Sequence, residues 1–362
     1  MFYVLLFVLL LIFTHGKAKL FISHNGSCLT MVKKSACDDI SCNSKNEKKL
    51  VVGGQAVIEG ILMRSPNFSA VAVRKPNKKI SVKLEKSKSF TSRCKICKWP
   101  LIRGIMVLAD SVVMGTKALM YSSNESGETD EQLSTKELII TMGISLLVAL
   151  LIFKFIPLLA ANFLKGYLDL NNFWFNLADG LIKIGIFLLY LWALTFMSDV
   201  RRLFEYHGAE HKSIYCYEAD KELTVKNIQP YQTMHPRCGT EFLLLVLVIS
   251  IVLYMFIPFE STLLTKYLLR LLLLPLIAGI SYEVLKVTGL NHNNWLSRII
   301  TYPGMMVQKL TTSQPADDQV EVAIASLEAV LTAEAKLKAK SEKKSSVNKK
   351  AKKVTKKKLT KA

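Results

Sequence analysis

From residue 138 onward the chain is dominated by four long apolar blocks. Leu138–Ala160, Leu181–Ser198 (with an apolar lead-in from Phe173), Phe242–Phe259 and Leu268–Thr288 are separated by polar connections. A helix needs about 20 consecutive apolar residues to cross a hydrocarbon core about 30 Å thick. The third block carries no charge, whereas Arg270, Glu283 and Lys286 interrupt the fourth. The pattern predicts an α-helical membrane domain over 137–290 with about four transmembrane helices, and within it a polar island at 199–240.

Residues 50–136 follow another rhythm. LVVGGQAVIEGILMRSP is followed by AVAVRK and ISVKLEK, both alternating apolar with polar side chains, the period of a half-buried strand. Pro76–Asn77 suits a hairpin turn, and Gly53–Gly54 a tight turn or a close backbone approach. A small β-rich soluble domain is expected here. In the stretch that follows, Ile105, Leu108, Val112, Met114 and Leu119 share a helical face. That helix either lies on the membrane or packs on the sheet, and a polar linker at 122–136 leads into the spans.

After the spans, 291–335 reads as a helical segment. Asp317 or Asp318 stands at the start of a helix with a Val320, Ile324, Leu327, Leu331 stripe. Residues 336–362 are lysine-rich and of low complexity. They are expected to be disordered, either simply solvated or touching anionic lipid or nucleic acid. Residues 1–49 stand apart. Phe2–Phe13 is a short apolar run with no Lys or Arg before it, and Met31 opens a plausible beginning. Residues 1–30 therefore read as a targeting leader or as sequence ahead of a true start, and are left out of the fold.

The net charge of +20 settles the expected orientation. The N-terminal domain, the island and the tail are basic, while the connections at 161–180 and 260–267 hold only Lys165 and Lys266. Four spans put all the basic segments on one side, the cytosolic or stromal one under the positive-inside rule. Seven scattered cysteines give no disulfide scaffold, and reduced thiols are expected; Cys94-x-x-Cys97 is a lone pair of weak meaning.

The island holds the candidate chemistry. His207-Gly208-Ala209-Glu210-His211 is an H-x-x-E-H. On a helix, His207 and His211 project from one face as two ligands of one divalent metal ion, zinc above all, with Glu210 beside them as general base. A third ligand is needed, and His235, Cys238, Glu205 and Glu218 are candidates. The competing readings are histidines that only hydrogen-bond, and a closed structural zinc site. Gln55, Glu59 and Arg64 lie in an apolar setting, and alternation from Gln55 puts Glu59 on its face. That face is expected to pack on the island, with Glu59 meeting Arg201, Arg202 or Arg237, or reaching the metal; the plain alternative is a solvated sheet face.

VGGQAVIEGILMRSP (52–66), FEYHGAEHK (204–212), HPRCGT (235–240) and QKLTTSQPADDQVEVAIASLEAVL (308–331) together resemble the YqhQ-like family. This is a set of uncharacterised, mainly bacterial membrane proteins, some labelled predicted metal-dependent enzymes, with relatives in plastid-bearing eukaryotes. The resemblance covers about residues 50–332 and implies a bacterial plasma membrane or plastid membrane. It brings no established activity. Two functions stay open: a metal-dependent enzyme of the hydrolase type, since a bound divalent ion makes water acidic near neutral pH, and a non-enzymatic scaffold or assembly factor whose N-terminal domain binds a protein partner. A transporter is disfavoured, because Lys183, Arg270 and Glu283 read as charges near span ends. Oligomeric state is not legible.

Overall fold

The computed structural model describes residues 49–87, 95–127, 135–236, 238–290 and 294–359. The leader expected at 1–30, Cys94 and Arg237 lie outside them. Four strands come first: β1 (Gly53–Val57), β2 (Gly60–Arg64), β3 (Phe68–Arg74) and β4 (Ile80–Lys86), an antiparallel meander in the order β1-β2-β3-β4. The helices are α1 (Ile102–Ser126), α2 (Thr135–Leu150), α3 (Ile156–Leu168), α4 (Asn172–Leu194), α5 (Ser198–Glu218), α6 (Val225–Ile228), α7 (Gly239–Tyr254), α8 (Leu263–Leu272), α9 (Leu274–Leu290), α10 (Trp295–Thr311) and α11 (Asp317–Leu359). A π-turn, Leu151–Phe155, joins α2 to α3.

The sheet is covered on both faces, which explains why β2 and β3 are buried almost throughout. Ile61, Met63, Ala70 and Ala72 share a core with Tyr206, Ala209 and Ile214 of α5 and with Val320, Ala323, Leu327 and Val330 of α11. Val57, Leu62, Val71 and Val73 meet Met114, Ala118 and Tyr121 of α1. Full burial of such a side chain contributes about 1.5–3 kcal/mol, so the strands, the island and the C-terminal helix act as one head. The helix expected through Ile105–Leu119 takes the sheet-packed alternative over its second half. Its first half lies against α9, where Arg103 donates from Nε to Glu283 Oε1 at 2.6 Å.

Among the described residues, three helical runs are long and apolar enough to cross a membrane: Ile102–Ser126, Gly143–Leu168 and Asn172–Leu194. The pair α8–α9, bent by 44°, makes a fourth. The protein is thus a mostly helical membrane protein with an N-terminal four-stranded sheet. α7, within the third expected block, has 16 residues, about 24 Å at 1.5 Å per residue. It stops at Tyr254 because Pro258 cannot continue it. α1 runs through Ser126, into the expected linker. α11 continues past Lys336 to Leu359, where disorder was expected; Ala, Lys and Glu are all strong helix formers. Cys97 is disulfide-bonded, against the expectation of reduced thiols, while Cys216 and Cys238 are free.

Candidate metal centre

α5 carries Gly208 in its interior, where glycine costs about 1 kcal/mol relative to alanine. The structure supplies the reason. A Cβ at 208 would stand 2.1 Å from the Ser313 carbonyl oxygen. The chain leaving α10 crosses α5 here, and the Ser313 amide donates to Phe204 O at 3.0 Å. The same crossing positions the first histidine: His207 donates from Nδ1 to Thr311 O at 2.8 Å. One turn on, His211 donates from Nδ1 to Thr233 O. A carbonyl can only accept, so both rings carry their proton on Nδ1 and turn Nε2 inward.

What they turn toward is Cys238. His207 Nε2 lies 3.2 Å from its Sγ, and His211 hydrogen-bonds the same sulfur. One ligand atom from each of His207, His211 and Cys238 falls within 4.8 Å of the other two. Cys238 is the N-cap of α7, its Sγ accepting from the Thr240 amide at 3.5 Å and the Thr240 hydroxyl at 3.4 Å. Burial pushes the thiol up, but the two histidines beside it outweigh burial and hold it well below its usual value. Burial pulls His211 down, yet the charge on Cys238 prevails and lifts it to about 9.

Two carboxylates flank the group. Glu210 is buried, which raises its pKa, and accepts from the Gly54 amide of β1. A Cβ on Gly54 would stand 2.9 Å from Glu210 Cδ, so glycine there lets the strand backbone reach the carboxylate. Glu241, in the first turn of α7, is 1 % exposed, burial pushes its pKa up to about 9, and among the described residues neither of its carboxyl oxygens has a hydrogen-bond partner. α10 presses on it through Gly304, whose Cβ would meet Glu241 Cγ at 2.6 Å. Leaving a buried carboxylate unmatched is expensive. Two imidazole Nε2 atoms and a cysteine sulfur converge, with Glu241 near enough to feel their charge, and all are side chains that ligate zinc. The residues fit a divalent transition-metal ion.

The other expected site residues are distributed differently. His235 stands one layer back: its ring centroid is 5.7 Å from that of His211 and 4.5 Å from that of Tyr215, and its Nε2 points at Glu218 Oε2, 3.6 Å away. Gln308 clamps the His235 backbone, accepting from its amide at 2.7 Å and donating to its carbonyl at 2.9 Å. Glu205 is taken by Gln319 Nε2 at 2.9 Å. Glu59 is not on a strand face. Val57 pairs with Gly60, so Glu59 falls in a two-residue turn at a left-handed φ of 48°. There it meets the expected island and one of the expected partners: Arg202 binds it through Nε and, at 2.6 Å, through Nη2, and the Tyr206 hydroxyl donates to it at 3.1 Å. The face of β1 that packs on α5 is that of Gly54. Gln55, paired with Leu62, points to the α1 side, as does Arg64, which reaches Asp110 at 3.4 Å. That side also holds a cavity of about 350 Å³ lined by Asp110, Lys117 and Tyr121, on the face of the sheet away from the histidines.

Sequence reasoning missed Glu241, Gln308 and the Thr233 and Thr311 carbonyls. For Glu241 a signal was present, an acid three residues after Cys238 opening an uncharged apolar run.

The profile of a family described as "Protein of unknown function (DUF1385)" matches residues 99–333. The chain is 32% identical over 306 residues to "Uncharacterized protein YqhQ" of Bacillus subtilis (strain 168), an alignment covering 81% of this chain and 96% of that one. No solved structure matches.

Proposed function

The chain belongs to the DUF1385 family, whose function is unknown, and from that premise we propose that it is a metal-dependent membrane enzyme of the hydrolase type. His207, His211 and Cys238 hold one divalent ion, zinc by ligand chemistry, and Glu241 stands at the fourth position. One observation carries this reading. Both histidines give their Nδ1 protons to backbone carbonyls and aim Nε2 at one sulfur, the outer-shell arrangement that orients metal-bound imidazoles. One shared proton among the two Nε2 atoms and the sulfur can bridge only one of the two contacts, whereas a divalent cation satisfies all three atoms.

A bound divalent ion acidifies water and polarises carbonyl or phosphoryl oxygens. Glu210 and Glu241 give the site two buried carboxylates beside three ligands, more proton-transfer capacity than a purely structural site uses. Glu210 is the general base in this reading, held by Gly54. Burial of His211, Cys238, Glu210 and Glu241 favours the rival reading, a closed structural zinc site with Glu241 as fourth ligand in a scaffold protein.

Metal analysis of the purified protein tests the centre. About one equivalent is expected, and none in the His207→Ala/His211→Ala double variant; a folded, active, metal-free wild type sinks the proposal. Glu210→Gln separates the two readings. It retains metal in both, but fails to complement a deletion strain only if the site is catalytic. The basic segments favour a head on the cytosolic or stromal side. Cysteines introduced at Lys79 and at Asn171 should then label from opposite sides of the membrane, and labelling from one side refutes that orientation.

A further inference from the structure

A second concentration of polar groups lies among the apolar helices, remote from the histidines. Tyr254 ends the helix that Cys238 begins, about 24 Å away along its axis. Around it, Arg270 of α8 donates from Nη1 to Asp179 Oδ1 at 2.8 Å and from Nη2 to Asn176 Oδ1 at 3.0 Å. Lys183, one turn after Asp179 on α4, donates to Asp179 Oδ2 at 3.1 Å. Lys154 donates to the Tyr254 hydroxyl at 3.1 Å. Lys183 and Arg270 are 1 % and 2 % exposed, and Asp179 is fully buried. Lys183 and Arg270, which the sequence placed near span ends, are thus paired with Asp179 inside the bundle.

The cluster does not balance. Among the described residues Asp179 is its one carboxylate, set against Lys154, Lys183 and Arg270. Both Asp179 oxygens are already engaged. Arg270 Nε is buried and has no partner. Each ammonium group has three protons to give, and the bonds above use one from each. The three cations crowd one ring: Lys154 Nζ, Lys183 Nζ and Arg270 Cζ lie 5.6, 4.8 and 4.6 Å from the Tyr254 centroid. Cation–π contacts offset part of the desolvation cost but not mutual repulsion.

The backbone is irregular at the same place. Lys154 lies in the π-turn, and Arg270 stands just before the 44° bend between α8 and α9. π-turns and broken membrane helices are tolerated where they line a site. Beyond the cluster, Lys266 and Lys165 lie over the Phe259 ring at 5.0 and 3.7 Å, extending the positive potential toward the end of the bundle away from the head.

We propose that Asn176, Asp179, Lys183, Lys154, Tyr254 and Arg270 form an intramembrane binding site for one phosphate-type oxyanion, taken from a lipid headgroup or from free phosphate. The excess of donors and of positive charge is the mirror image of the acceptor-rich metal centre. Lysine and arginine are the side chains that bind phosphate oxygens. The site is independent of the metal reading, since it shares no residue with it.

The test is the thermal midpoint of the full-length protein. In neutral detergent it is followed against inorganic phosphate, with chloride at matched ionic strength as control. In phosphatidylcholine nanodiscs it is compared with and without phosphatidylglycerol. A saturable rise with phosphate identifies a free anion; a rise only with phosphatidylglycerol identifies a headgroup. In whichever arm responds, Lys183→Met should raise the half-saturating concentration about tenfold or more, the equivalent of one lost charge-assisted contact. Tyr254→Phe, which keeps the ring, should weaken the response less. The proposal is overturned if wild type responds to neither ligand. It is also overturned if Lys154→Met and Lys183→Met raise the midpoint in every condition, as relief of uncompensated charge would. The wild-type titration decides the matter even if a variant fails to fold.

Discussion

Replacing Gly208 by alanine sets two effects of opposite sign against each other. Alanine in a helix interior is favoured over glycine by about 1 kcal/mol, so an unobstructed α5 would be strengthened. Here the new methyl would meet Ser313 O at 2.1 Å, when carbon–oxygen contacts settle at about 3.3–3.6 Å. The crossing segment must retreat by more than about 1 Å. That forfeits the Ser313–Phe204 backbone bond, worth about 1 kcal/mol, on top of an overpacking cost of about 1–3 kcal/mol. The clash wins, and a net loss of about 1–3 kcal/mol is expected. The larger consequence is two residues away, where Thr311 O fixes the His207 ring. Disturbing such an outer-shell partner costs about 10–100-fold in metal affinity. Gly208→Ala should therefore bind zinc at least about tenfold more weakly in competition with a chromophoric chelator, although it alters no ligand. A variant about 1 kcal/mol more stable than wild type, with unchanged affinity, would falsify the crossing and the way it orients His207.

Glu59→Gln removes a partly exposed ion pair to Arg202 and keeps the turn. It should cost no more than about 1 kcal/mol in thermal unfolding and leave metal stoichiometry intact, and loss of metal would mean that the turn reaches the centre after all. Glu334 ties α11 to the β2–β3 turn, accepting from Ser65 Oγ at 2.7 Å and from the Asn67 amide at 2.8 Å. Burial raises its pKa, but the hydrogen bonds from Asn67 and Ser65 prevail and hold it below 4.5. A depressed folded pKa means that its stabilisation is present above 4.5 and is lost as pH falls through the folded value. Glu334→Gln should lower the melting midpoint at pH 7 and flatten its acid limb, and an unchanged acid limb contradicts that assignment.

The features that were legible in the sequence were the periodic ones. Period-2 alternation gives the strands from Gly53 to Lys86, and the i, i+4 spacing brings His207 and His211 onto one face of α5. What escaped depends on contacts between distant segments. The alternation rule carried Glu59 onto a strand, because nothing local says that the turn begins at Ile58. Gly208 counted against a helix until the Ser313 crossing accounted for it. Drawing the second span from Leu181 left Asp179 outside, which hid the i, i+4 pair it makes with Lys183 and the link to Arg270. Glu241 reads as the edge of an apolar block, and only the fold shows it buried within reach of the charge on Cys238.

The head's shared core also imposes an order of events during synthesis. Ile61, Met63, Ala70 and Ala72 are covered by α11, whose Val330 emerges about 250 residues after β3. At about 5–20 residues per second, that face waits roughly 10–50 s while the apolar helices are threaded into a bilayer. The strands are thus made first and closed last. A ribosome stalled before residue 317 leaves a sheet with one apolar side open to water. Such an intermediate is a natural client for chaperones, and α11 acts as a completion signal that only a full-length chain can supply.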